Sequence, residues 1–247
     1  MKQPRRPRGT PAGGQFASRQ RQESTDGLDV AAVDADVLHI MGELATTATG
    51  RRFRLAEGTA LALQLGHRCS NDLDYFVFGE RIQAGAILAD IERISPAIGR
   101  FDVTTSEAGQ LDVEVRPLGR KVSFIAYPFA LSGKPVVLQG QRCSPPLEIA
   151  AMKAYTMGRR AAARDYVDIE AAISLAGVDL SEIVGEARQR FVLDGEPVFS
   201  ERLFLQQLVS FGDLTDATGL VLLRSSWGDV QRSLRRIVAS YVENQIG

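Results

Sequence analysis

Two aspartates one residue apart, Asp72 and Asp74, lead into the run Tyr75-Phe76-Val77-Phe78, and a Gly58-Thr59 pair precedes them with twelve residues between. If 72–78 is a strand, its side chains alternate between faces. Asp72 and Asp74 then project the same way, while Leu73 and Tyr75 enter the core. Two carboxylates on one face suit a hard divalent cation, most simply Mg²⁺. The Gly58-Thr59 turn opens a short apolar segment that breaks at Gly66. A Gly-led helix start leaves backbone N–H groups free, and such groups attract phosphate. A cation beside a phosphate cradle is equipment for moving a nucleotide. Arg68 and Ser70, in the polar loop after Gly66, are placed to be further phosphate ligands, whereas His67 reads as a packing or hydrogen-bonding residue rather than a general base.

A second set of charges comes later, in Lys153, Arg160 and Arg164-Asp165-Tyr166-Val167-Asp168. On one continuous helix Lys153, Arg160 and Arg164 would fall within about 40° of each other and span roughly 16 Å. Like charges along one face do not stabilise a helix. The stripe makes sense if an anion sits there, and a triphosphate is the obvious one. The plainer alternative is a solvated face neutralised by Glu148, Asp165 and Asp168. Asp165 and Asp168 could hold the cations in place or act on an acceptor hydroxyl.

The first block, Leu55-Ala56-Glu57-Gly58-Thr59-Ala60-Leu61 through Asp72-Leu73-Asp74-Tyr75-Phe76, resembles the nucleotidyltransferase superfamily, and more specifically the AbiEii/AbiGii-type toxin family. The Lys153, Arg160 and Arg164–Asp168 block and the Val122–Phe129 stretch ending in Tyr127-Pro128-Phe129 match the same family in the same order, so the resemblance runs from about Phe53 to Ile173. It implies an α/β (α+β) fold: a nucleotidyltransferase-like mixed sheet flanked by helices, followed by a helical C-terminal half. It also implies that Asp72 and Asp74 hold Mg²⁺, and that Gly58, Thr59, Arg68, Ser70, Lys153, Arg160 and Arg164 bind a nucleoside triphosphate. Lys153, with at least one carboxylate of Asp165 and Asp168, would be catalytic. The acceptor implied is RNA, a tRNA 3′ end being the foremost case. The protein partner implied is a cognate antitoxin, in a toxin–antitoxin or phage-defence system.

Two positions depart from the family pattern. Ser123 stands where a third carboxylate is usual, and Glu57 stands where glycine is usual before Gly-Thr. A hairpin with a four-residue loop would set Glu114 opposite Ser123 and make Glu114 a candidate third metal ligand. On the alternative reading, Asp112, Glu114 and Arg116 are the solvated side of an amphipathic strand. A small-molecule or protein hydroxyl acceptor, or a silent binding scaffold of the same fold, are the competing functions.

Around these residues, apolar periodicity predicts a helix over 29–48, a short strand over 52–56 and a helix over 83–94 stopped by Pro96. Strands follow at 101–105, 111–116 and 121–126. From Ser144-Pro145, read as an N-cap and first-turn proline, the chain turns helical: 145–157, 161–176, 180–192, 198–210 and 226–244. The organisation expected is a basic disordered arm over 1–28, a core over 29–143 and a helical domain over 144–247 that adds cationic residues to the site. The first 22 residues carry Lys2, Arg5, Arg6, Arg8, Arg19 and Arg21 and no acid, although net charge is only −1. With 45% hydrophobic and 24% charged residues the chain has globular composition. No apolar run approaches the roughly 18–20 residues that span a bilayer, and no signal peptide opens the chain. Two cysteines, Cys69 and Cys143, are too few for a disulfide framework, and a cytoplasmic location is expected.

Overall fold

The computed structural model describes residues 32–157, 159–160, 162–212, 214 and 219–246. The expected basic arm over 1–28 lies outside them. Among the described residues the central sheet has seven strands in the order β3-β4-β5-β2-β1-β7-β6. These are β1 (Arg54–Ala56), β2 (Leu73–Phe78), β3 (Arg100–Glu107), β4 (Gln110–Arg116), β5 (Arg120–Tyr127), β6 (Val136–Leu138) and β7 (Gln141–Cys143). The sheet is mixed, since β2 runs parallel to β5 and β1 to β7, while the remaining neighbours are antiparallel.

One face of the sheet is apolar and covered by α1 (Ala35–Ala45) and α4 (Ala84–Ile98), with the short α2 (Ala48–Arg52) following α1. Each helix buries a stripe at three- and four-residue spacing: Val37, Ile40, Met41 and Leu44 on α1, and Ile87, Ile91, Ile94 and Ile98 on α4. Burying one such side chain contributes about 1.5–3 kcal/mol. Leu73 and Tyr75 of β2 enter this core, where Tyr75 stacks on Phe124 with ring centroids 5.5 Å apart. Strand alternation therefore sends Asp74 to the opposite face.

That opposite face is covered only in part. Phe76, Ala56 and Phe129 pack under α5 (Pro146–Met157) and α7 (Leu180–Arg190). The helices α6 (Ala163–Ser174), α8 (Glu201–Leu208) and α9 (Trp227–Ile246) join α5 and α7 around a second apolar cluster that includes Tyr166, Ile183, Phe204 and Leu234. No helix among the described residues is long and apolar enough to cross a membrane.

A buried ionic knot fixes α5 against the sheet. Arg54 of β1 donates to Glu148 Oε2 at 2.9 Å and to the Gly133 carbonyl at 2.9 Å. The Ser144 hydroxyl donates to Glu148 Oε1 at 2.6 Å, and Arg190 of α7 lies 3.4 Å from Glu148 Oε2. Lys153 follows Glu148 by five residues, about 7.5 Å along the helix, so the knot sets where its ammonium lands.

Several elements differ from expectation. Helix α4 runs through Pro96 to Ile98 instead of stopping before it. The carbonyl of Glu92, which loses its usual partner because proline has no N–H, accepts from the Ser95 hydroxyl at 2.9 Å. Strands β6 and β7 were not foreseen, being too short for a period-2 signal. The two-residue strands β8 (Val192–Leu193) and β9 (Glu196–Pro197) also interrupt the stretch read as wholly helical. Pro145, rather than Ser144, supplies the first helical carbonyl of α5, to Ile149 N–H, and Pro146 is the first helical residue.

A cleft that gathers the candidate site

Over the uncovered part of the sheet lies a cleft of roughly 490 Å³, lined by Glu57, Gly58, Arg68, Ser70, Asp72, Asp74, Lys121, Lys153, Arg160 and Arg164, among others. Its floor is β2, where Asp74 sits between Ala56 of β1 and Ser123 of β5. The helix α3 (Glu57–Leu65) starts directly after Ala56, which brings its N-terminus beside Asp74. It ends at Gly66, whose left-handed φ of 58° turns the chain into the loop carrying His67 to Asn71. That loop returns through Asp72 into β2. Burial, with the charges of Glu57 and then Asp72, pushes the Asp74 carboxyl up to about 6.

Behind the acids stands a buried charge network. Lys153 is 4% exposed and ion-pairs with Glu57, with Asp165 Oδ1 at 2.9 Å and with Asp168 Oδ2 at 3.5 Å. Burial alone would lower its pKa, but these three carboxylates outweigh that and hold the ammonium charged. Asp168, fully buried, accepts from Arg68 Nε at 2.6 Å and Nη2 at 2.9 Å, and contacts His67 Nε2 at 2.8 Å. Burial would raise its pKa too, yet Arg68 and Lys153 keep it well below the usual carboxylate range. The Asp165 contact is one of charge, since neither of its oxygens has a hydrogen-bond partner among the described residues.

Of the residues singled out from sequence, Gly58, Arg68, Ser70, Asp72, Asp74, Lys153, Arg160 and Arg164 meet at this cleft. Others do not. Thr59 is buried, its hydroxyl bonded to Ser70 Oγ at 2.9 Å and to the Asp72 carbonyl, so it braces the loop instead of facing the cleft. Asp165 and Asp168 lie fully buried behind Lys153 and Arg68. The cationic residues do not share a continuous helix, because α5 ends at Met157 and α6 begins at Ala163. Arg160 lies in the connection between them, exposed, and Arg164 is exposed on the first turn of α6.

The hairpin register also differs from the expected one. Val115 pairs with Arg120, so Glu114 faces Lys121 and Asp112 faces Ser123. Glu114 bonds Arg116 at 2.9 Å and is not among the cleft residues. Asp112 accepts from Gln110 at 3.0 Å and pairs with Lys121 at 3.1 Å. Burial would raise its pKa, but bonds from Gln110, Lys121 and Ser123 hold it below the ordinary value. Lys121 is a charged cleft residue that sequence reasoning missed. It shares a face with Ser123 by alternation, and that parity was the available signal.

Gly58 owes its identity to a neighbouring side chain, since a Cβ there would lie 2.1 Å from Arg68 Nη2. Glycine lets the guanidinium close against the start of α3.

The acid pair suits a hard cation in one particular way. Asp72 and Asp74 face the cleft with no salt-bridge partner among the described residues, and the charge of Asp72 helps to raise Asp74, a repulsion that a cation relieves. No group of three His, Cys, Asp or Glu among the described residues could hold a metal. Mg²⁺ commonly takes one or two carboxylates and completes its shell with phosphate oxygens and water. Asp72 and Asp74 fit that role.

Comparison with known proteins agrees with this architecture. An uncharacterized protein of Aquifex aeolicus is 27% identical over 201 residues, spanning 78% of this chain and 89% of that one. JHP933 from Helicobacter pylori superposes with a TM-score of 0.56 at 17% identity, over 86% of this chain and 96% of that one. MenT4, a nucleotidyltransferase toxin from Mycobacterium tuberculosis, does so with a TM-score of 0.54 at 22% identity, over 83% and 81%. At these identities the two solved structures show a shared fold. Residues 39–236 match the model of the family described as nucleotidyl transferase AbiEii toxin, type IV toxin–antitoxin system, and the chain belongs to that family of nucleotidyltransferases.

Proposed function

We propose that the protein is a Mg²⁺-dependent enzyme that moves a nucleotide from a nucleoside triphosphate to a hydroxyl of an RNA, with a tRNA 3′ end the foremost acceptor. It would act in the cytoplasm, as the toxin of a toxin–antitoxin or phage-defence pair whose partner is a cognate antitoxin. The observation that carries this reading is the meeting, in one cleft, of Asp72 and Asp74 with Lys153, Arg68, Arg160 and Arg164. Residues 29–143 would form the acid-bearing core, and 144–247 the helical part that brings three of those cations.

Asp72 and Asp74 would hold Mg²⁺, which when bound neutralises charge on the α-phosphate and the departing pyrophosphate. The N–H groups at the start of α3 favour phosphate by their orientation and dipole. Arg160 and Arg164, exposed at the mouth and without an ion partner among the described residues, would take the outer phosphates. Lys153 is held in register by Asp165 and Asp168, and Arg68 by Asp168. Such preorganised positive groups act where negative charge develops in transfer. The acceptor oxygen attacks the α-phosphorus in line. The new O–P bond forms as the bond to pyrophosphate breaks, and the hydroxyl proton passes to solvent.

Incubating the protein with total RNA, Mg²⁺ and each labelled nucleoside triphosphate in turn tests the proposal. Label should enter RNA with wild type and fail to do so with Asp72→Ala or Lys153→Ala. Label found only on protein or small molecules would reject the RNA acceptor.

A further inference from the structure

Glu57 is a cleft residue for which neither the fold nor the proposed transfer supplies a reason. It opens α3 at φ 58°, in the left-handed region that favours glycine. Its carboxylate ion-pairs with Lys153, and among the described residues it has no other ion partner. Lys153 thus has three acids around it, and they are not equivalent. The side chains of Asp165 and Asp168 are 1% and 0% exposed, and Asp168 is further clamped by Arg68 and His67. Glu57 keeps 21% of its side-chain surface and lines the cleft.

Charge counting separates it again. Lys153 and Arg68 are balanced by Asp165 and Asp168, so Glu57 is a surplus anion on the cleft side of the network. It also stands close enough to Asp74 to be the leading charge that raises that group. An incoming polyphosphate reaches Lys153 from the side on which Glu57 already sits, because the other approaches are filled by buried carboxylates.

We propose that Glu57 is a positioning residue that holds Lys153 as an exchangeable counter-anion and occupies the place a triphosphate oxygen takes on binding. This rests on the reading of the cleft as a nucleoside triphosphate site. Nucleotide entry is then an anion exchange, with the Glu57 carboxylate leaving Lys153 as phosphate arrives. Removing the carboxylate frees Lys153 for phosphate without leaving it uncompensated, since Asp165 and Asp168 remain.

The test is calorimetric titration of inorganic tripolyphosphate into metal-free protein containing a chelator. Glu57→Gln and Glu57→Gly should each bind it roughly five- to tenfold more tightly than wild type. Adding Lys153→Ala to either variant should remove the gain. A merely structural role for Glu57 would loosen binding in both variants, and equal or weaker affinity than wild type overturns the proposal. A parallel titration of wild type with a non-hydrolysable nucleoside triphosphate and Mg²⁺ separates the two ideas. Binding there, with no gain in the variants, sinks the exchange alone, whereas no binding there sinks the nucleotide site with it.

Discussion

Replacing Gly58 by alanine sets two effects against each other. Alanine is the better helix former, by about 1 kcal/mol in a helix interior, and on propensity alone the variant should gain stability. The added Cβ, however, would lie 2.1 Å from Arg68 Nη2 and 3.1 Å from Ser70 Oγ. Non-bonded carbon contacts settle near 3.5 Å, so the guanidinium would have to retreat by more than about 1 Å. It is not free to do so. Its side chain is 5% exposed, and Nε and Nη2 bind the two oxygens of Asp168 at 2.6 and 2.9 Å. Losing one charge-assisted bond costs about 1.5–3 kcal/mol, which leaves a net destabilisation of about 0.5–2 kcal/mol after the helix gain. Urea denaturation followed by circular dichroism measures it. A double-mutant cycle with Arg68→Ala isolates the clash, since in that background Gly58→Ala should cost nothing or stabilise. A more stable Gly58→Ala protein, or an unchanged cost once Arg68 is gone, would refute the close approach of Arg68 to α3 as the reason for glycine.

Asp74→Asn should abolish transfer yet make the metal-free protein more stable at pH 7 to 8, by about 3 kcal/mol. The sign follows from a folded pKa raised to about 6 from 3.8. The stability this group contributes is complete below the unfolded value and is lost as pH rises through about 6, so the two proteins should melt alike near pH 3.5, diverge between about pH 4 and 6, and stay apart by the full difference above that. Arg160→Ala and Arg164→Ala, at exposed positions, should shift unfolding by less than about 0.5 kcal/mol. Each should nonetheless weaken nucleoside triphosphate binding about three- to tenfold, and that loss should shrink as salt is raised in a calorimetric series. Glu148→Gln leaves Arg54 and Arg190 buried without their carboxylate and should cost about 3–5 kcal/mol in denaturant midpoint terms.

Legibility in the sequence followed the strength of the local signal. The face shared by Asp74 and the burial of Leu73 and Tyr75 came from period-2 alternation, which a hydrophobic strand fixes firmly. The α1 and α4 stripes and the stop at Gly66 were as plain. Asp112 and Lys121 were not, because parity tells which residues share a face but not which pair. The hairpin closes with Val115 opposite Arg120, two residues away from the pairing that was assumed. The bracing role of the Thr59 hydroxyl, bonded to Ser70 and to the Asp72 carbonyl, was not legible, because motif spacing carries no sign of where a hydroxyl is spent. The bonds from His67 and Arg68 to Asp168 join residues about a hundred positions apart. Periodicity cannot reveal such a contact; only the packing of α6 against α3 creates it.

The central claim is that one cleft holds a cation on Asp72 and Asp74 while the positive groups from α5 and α6 grip the polyphosphate beside it. Anomalous diffraction from crystals grown with Mn²⁺ and a non-hydrolysable nucleoside triphosphate tests this most directly. A manganese peak should bridge the carboxylates of Asp72 and Asp74, with phosphate oxygens within hydrogen-bond reach of Lys153 and of Arg160 or Arg164. Manganese bound elsewhere, or a triphosphate lying away from Lys153, would contradict it.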